Sequence, residues 1–178
     1  MALGVSGPGP APTPRDATDA PEPHGRPARV LLIRHAEAGG RVGWSGPDRD
    51  RPLTEVGRAQ AEQLAARLDG QRLDRLLTSG YVRCVETMAP LAARRRLTCN
   101  AVGWLEEGAD PAAALTALLA GGSVAACSHG DVVSGVLFEL ADRGVMLGPS
   151  PRMQKGSIWV LEVEEGRVST AHYLAPPG

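Results

Sequence analysis

Two short apolar runs in this chain each end in a polar residue followed by a histidine. Val30-Leu31-Leu32-Ile33 leads into Arg34-His35, and Val124-Ala125-Ala126-Cys127 leads into Ser128-His129-Gly130. Apolar runs without alternation read as strands buried on both faces, as in a parallel sheet, whose ligands gather in the crevice beyond the strand C-termini. The arrangement therefore predicts two imidazoles looking into one cleft. A third run ends at Ser79 with Arg83 four residues on, and Glu106 and Glu107 follow a fourth. With Ser79 as its cap, a helix would present Arg83 from its first turn, where free N–H groups and the macrodipole favour an anion. Two arginines, two histidines and a helix N-terminus describe a phosphate site.

The elements that must position these groups follow from periodicity and punctuation. A strand over about 29–34 feeds a polar loop, 35–53, rich in Gly, Asp and Arg. Thr54 reads as the cap of a helix to about Leu68, with Ala61, Leu64 and Leu68 on its inner face. Leu73 to Thr78 reads as a second strand, followed by the Ser79-capped helix, which Pro90 would kink. Arg94-Arg95-Arg96 fits a helix C-terminus better than a nucleic-acid patch. Leu97 to Val102 is a third strand, and Asp110-Pro111 opens an Ala/Leu helix that Gly121-Gly122 ends. After the Val124 strand, Asp131 opens a helix to about Asp142, and Ser157 to Val163 pairs with Arg167 to Tyr173 as a closing hairpin. The fold class expected is α/β, a three-layer sandwich with a mostly parallel central sheet flanked by helices.

The 178 residues allow one ordinary domain. Residues 1–28 hold seven prolines among Gly, Ala and Asp and read as a disordered leader; 29–178 is the folded domain. A formal net charge of −1 removes the electrostatic drive expected of a dedicated nucleic-acid binder. Three widely spaced cysteines, Cys84, Cys99 and Cys127, suggest neither a disulfide framework nor a zinc site and fit a cytoplasmic setting. No targeting pattern or membrane-length apolar stretch is seen. His24 and His172 lie outside the strand-end pattern and read as structural. A serine nucleophile at Ser128 is disfavoured because neighbours on an extended chain point to opposite faces and no GxSxG elbow exists.

The residues that carry this pattern resemble the histidine phosphatase superfamily, also called phosphoglycerate mutase-like. The likeness rests on Leu31-Leu32-Ile33-Arg34-His35-Ala36-Glu37, Arg51-Pro52-Leu53-Thr54-x-x-Gly57-x-x-Gln60-Ala61, Leu77-Thr78-Ser79-x-x-x-Arg83-x-x-x-Thr87, Leu105-x-Glu107-Gly108 and Ser128-His129-Gly130. It covers nearly everything after residue 28. The resemblance implies a metal-independent phosphatase without cofactor. His35 would be the nucleophile, Arg34, Arg83 and His129 would hold the phosphoryl oxygens, and Glu107 would be the general acid with Glu106 as rival. Arg41 occupies the place of a phosphate-contacting Asn, so it too is a phosphate-binding candidate.

Ala36, Ala38 and Arg41 depart from the mutase pattern, and the short span from Arg83 to His129 leaves no room for a large cap. The chain looks similar to the short protein-phosphohistidine phosphatases and to the phosphatase half of Nudix-fused actinobacterial proteins. The expected substrate is a nucleotide phosphate or a protein phosphohistidine, with Trp44 and Arg51 as candidate substrate contacts beside the nucleophile. No nucleic-acid or membrane partner is expected. The rival readings are a phosphate-binding module with weak turnover, a small-metabolite phosphomonoesterase or mutase, and a zinc hydrolase, the last lacking the ligand spacing it needs.

Overall fold

The computed structural model describes residues 28–148 and 152–178. The expected leader falls outside the described residues except for Ala28, which already belongs to the first strand. Six strands, β1 (Ala28–Arg34), β2 (Arg75–Thr78), β3 (Cys99–Ala101), β4 (Val124–Ser128), β5 (Ile158–Glu164) and β6 (Arg167–Leu174), form one sheet in the order β3-β2-β4-β1-β5-β6. Neighbours among the first four run parallel, and β5 and β6 join antiparallel as the expected hairpin.

Four helices, α1 (Glu55–Leu68), α2 (Val82–Arg95), α3 (Pro111–Leu118) and α4 (Gly130–Asp142), cover the two faces. Alternate strand residues feed two cores. Leu31, Ile33, Leu76, Ala125 and Cys127 meet α1 and α2 through Leu64, Leu68, Cys84, Met88 and Leu91. Val30, Leu32, Leu77, Val124 and Ala126 meet α3 and α4 through Leu115, Leu118, Val133, Val136 and Leu140. Because the chain steps outward with α1 and α2 on one face and returns with α3 on the other, β4 is inserted between β2 and β1. That reversal creates the crevice at the strand C-termini where parallel sheets bind ligands.

Local signals explain most boundaries. Thr54 Oγ1 accepts from Gly57 N at 3.1 Å, and Asp110 accepts from Ala112 N at 3.0 Å, so both expected caps are present. The hairpin turns through Glu165 and Gly166, both at positive φ, 50° and 74°. Ser79, however, does not cap α2. Tyr81 holds the N-cap position without a side-chain bond, and the Ser79 hydroxyl is used elsewhere. Nor does Asp131 open α4, which begins at Gly130 after His129; the Asp131 carboxylate accepts from Gly108 N at 2.7 Å. Helix α2 continues through Pro90, and β3 is shorter than 97–102 because Leu97 N is drawn to Ala92 O at the helix end. Arg94 and Arg95 lie in the last turn of α2, as read. Among the described residues no helix is long and apolar enough to cross a membrane.

Candidate active site

Strand register brings the polar strand ends to one rim. Arg34 pairs with Ser128 across β1 and β4, His35 N donates to Ser128 O at 3.0 Å, and Ser79 N donates to Cys127 O at 2.9 Å. The two histidine rings lie 5.5 Å apart, edge to face, and both are buried.

His35 Nδ1 lies 2.8 Å from Ala36 O, so it carries the proton and donates, which leaves the Nε2 lone pair free. Burial, reinforced by the charges of Arg83 and Arg34, pulls the His35 pKa down to about 3 against the raising effect of the Ala36 bond. At neutral pH the ring is an uncharged base with an open nitrogen. That is the form a nucleophile requires.

His129 Nδ1 lies 3.2 Å from Arg83 Nη2, and a guanidinium can only donate. Nδ1 therefore accepts, and Nε2–H donates to Ser79 Oγ at 2.8 Å. Tyr81 backs the arrangement, its ring 4.6 Å from that of His129 and its centroid 4.6 Å from Arg83 Cζ. Arg83 is 1% exposed; Nη1 donates to Asp48 O at 2.8 Å, and Nη2 lies 3.1 Å from Asp48 Oδ2 and 3.2 Å from Glu107 Oε2. The Asp48 Oδ2 contact is an ion pair without hydrogen-bond alignment. Thr87 ties this helix to the nucleophile loop, accepting from Ala36 N at 3.0 Å and donating to Arg83 O at 2.6 Å.

Arg34 donates through Nη1 to Met153 O and crosses the start of α4. A Cβ at Gly130 would lie 3.1 Å from its Cζ, so the absent side chain makes room for the guanidinium. Arg34 Nε and Arg83 Nε are buried donors without a hydrogen-bond partner. A buried unsatisfied donor costs about 1–3 kcal/mol, and both of these guanidinium charges act on the His35 ring.

The loop before α1 gives its arginines different uses. Arg41 Nη2 contacts both oxygens of Glu107 at 2.8 Å, and its Nε lies 3.3 Å from Asp48 Oδ1. Arg49 instead forks onto Glu106 with two nitrogens, Nη1 on Oε2 at 2.9 Å and Nη2 on Oε1 at 2.7 Å, over a Gly80 whose Cβ would lie 2.6 Å from Arg49 Nη2. Arg51 is buried and spent inside the loop, donating to Ala38 O, Gly39 O and Asp48 Oδ1 at 2.9 Å each, rather than presented to a ligand. Trp44 is half-exposed, its indole N–H donating to Pro47 O at 2.9 Å, which makes it a loop anchor.

Asp48 is the residue sequence reasoning passed over. Burial raises its pKa, but the Arg51 hydrogen bond and the charges of Arg83, Arg51 and Arg41 outweigh that and hold it below the usual carboxylate range. The signal was its place among Arg41, Arg49 and Arg51 in the loop before α1. Apart from this site, an apolar groove of about 430 Å³ runs between α4 and residues 144–148, lined by Leu137, Phe138 and Val145 and containing none of these groups.

A profile described as histidine phosphatase superfamily (branch 1) matches residues 30–109. The chain is 39% identical over 155 residues, 83% of its length, to an 8-oxo-(d)GTP phosphatase of Mycolicibacterium smegmatis; it spans 48% of that relative, about half its length. Its fold is similar to that of the protein histidine phosphatase SixA complexed with tungstate, at 23% identity and TM-score 0.67, covering 83% of this chain and 94% of that one. It is also similar to the mycobacterial glucosyl-3-phosphoglycerate phosphatase, at 17% identity and TM-score 0.59, covering 84% and 97%.

Proposed function

Since the chain belongs to the histidine phosphatase superfamily, we propose that it is a phosphatase that passes the phosphoryl group through a covalent phosphohistidine on His35. The observation that carries this reading is the neutral His35 with Nε2 open beside the buried guanidinium donors of Arg34 and Arg83. In the first step Nε2 attacks phosphorus while Arg34 and Arg83 take the charge on the phosphoryl oxygens, with His129 Nδ1 holding Nη2 of Arg83 in place. The ring becomes an N-phosphorylated imidazolium whose Nδ1–H is held by Ala36 O. In the second step water attacks phosphorus and Glu107, on Arg83, accepts its proton. The arginines supply the positive charge this transfer needs, so the reading calls for no metal and no cofactor.

The substrate is a nucleotide phosphate, the class that the name of the 39% identical relative carries, or a protein phosphohistidine, the class that the name of the tungstate-bound fold relative carries. Buried Cys84 and Cys127, which form no disulfide, suit a cytoplasmic enzyme. Brief incubation with γ-labelled nucleotide should leave an acid-labile, base-stable phosphate on the wild type and none on His35→Ala. Full turnover by His35→Ala overturns the mechanism.

A further inference from the structure

Breaking a phosphate ester requires a proton for the departing alkoxide, and the structure shows what the acids around Arg41, Arg49, Arg83 and Lys155, and Asp131, are doing instead. Glu107 has Arg41 on both oxygens at 2.8 Å and Arg83 on Oε2 at 3.2 Å. Glu106 is forked onto Arg49, Asp48 is shared by Arg41, Arg51 and Arg83, Glu37 is paired with Lys155 at 2.8 Å, and Asp131 accepts from Gly108 N. A carboxylate oxygen that accepts from a guanidinium has no proton to give. His129 offers none either, since its Nε2–H is committed to Ser79.

The same occupancy suits a different leaving group. When a phosphoanhydride reacts at His35, the Nε2–P bond forms as the P–O bond to the leaving phosphate breaks, and the electron pair departs on an oxyanion that is stable without protonation. Water then attacks phosphorus, the P–Nε2 pair returns to the imidazole, and the water proton passes to Glu107. With Arg41 on both of its oxygens, Glu107 is placed to accept the proton of the second step and not to donate one in an ester cleavage.

We propose that Arg41 is a specificity-determining residue: by holding both oxygens of Glu107 it confines the site to phosphoanhydride substrates, such as nucleoside di- and triphosphates, and against alkyl phosphomonoesters. Arg41 thus acts through Glu107 as a positioning residue, where sequence reasoning had it touch phosphate. The inference rests on His35 being the nucleophile.

The test compares kcat/KM for GDP, for 4-nitrophenyl phosphate and for glycerol 2-phosphate in wild type, Arg41→Met, Arg41→Met/Glu107→Gln and His35→Ala. Because kcat/KM reports only steps through leaving-group departure, it isolates the acid requirement from the water step. Wild type should favour GDP over glycerol 2-phosphate by at least about 100-fold, and Arg41→Met should raise the glycerol 2-phosphate value about tenfold or more. The double variant should lose that gain, which a merely structural role for Arg41 would not produce. Arg41 is largely solvent-exposed, so its replacement leaves the core untouched. No gain on the ester, a loss confined to GDP, or a wild-type preference for glycerol 2-phosphate overturns the proposal. If His35→Ala retains activity, the parent mechanism fails instead.

Discussion

Replacing Arg83 with lysine keeps one positive charge and removes the planar fork, which isolates what the geometry of the clamp contributes. Arg83 uses Nη1 on Asp48 O, shares Nη2 among Asp48 Oδ2, Glu107 Oε2 and His129 Nδ1, and leaves Nε unpaired. A single ammonium cannot span these positions and also meet a phosphoryl oxygen. Loss of one charge-assisted hydrogen bond to the transferring group is worth about 1.5–3 kcal/mol, which corresponds to about a 10- to 150-fold fall in kcat/KM. The assay is hydrolysis of 4-nitrophenyl phosphate, whose leaving group needs little help, so that the loss reports the clamp rather than proton transfer. A melting curve run in parallel measures the lost stacking over Tyr81, worth about 0.5–2 kcal/mol. A variant within twofold of wild type in kcat/KM would show that Arg83 does not touch the phosphoryl group, and the arrangement of the site would need another explanation.

Two further outcomes follow from the histidines. Ser79→Ala removes the acceptor that orients His129 and should cut kcat/KM by about 3- to 15-fold, the worth of one net hydrogen bond, whereas Ser79→Thr should keep most of the activity; equal losses in the two variants would assign the effect to packing. His35 has a folded pKa of about 3 against 6.5 in the unfolded chain, so the unfolded state binds its proton first as the pH drops. The stability this group contributes is complete above pH 6.5 and is lost as the pH falls from there towards 3. Urea unfolding at pH 7 and pH 4 should therefore show wild type losing a few kcal/mol more than His35→Gln; equal losses would place the ring in a more solvated setting than the structure shows.

The sheet and its rim were legible because their causes are local. Unalternating runs such as Val124–Ser128 can be satisfied only between two covered faces, and a polar residue ending such a run must emerge at the strand terminus. Thr54, Asp110 and the Glu165-Gly166 turn act through bonds to residues a few positions away, so their chemistry is written next to them. The cap expected at Ser79, and the helix start expected at Asp131 and found one residue earlier, show the limit of that reasoning. Each could have capped its own helix, and each was claimed by a group more than 20 residues distant, His129 and Gly108. Likewise α2 ends without a glycine, because Arg96 itself takes the left-handed conformation at φ 53°. The arginines of the 41–51 stretch look alike in sequence, and only the folded loop separates Arg51, buried on carbonyls, from Arg41 and Arg49, which reach across to different glutamates.

The placement of β1 has a consequence in time. It comes first among the described strands, yet its two neighbours are β4, which starts at residue 124, and β5, which starts at residue 158. The backbone at the reactive residue waits just as long, because Gly156 N donates to the carbonyls of both Arg34 and His35 at 3.0 Å. Pairings so far apart in the chain must meet the entropy of closing large loops before they are rewarded, which slows folding. A nascent chain therefore carries His35, the proposed nucleophile, well before β4, β5 and Gly156 exist to seat it. On the proposed mechanism, a chain that stops short of Gly156 should form no phosphohistidine.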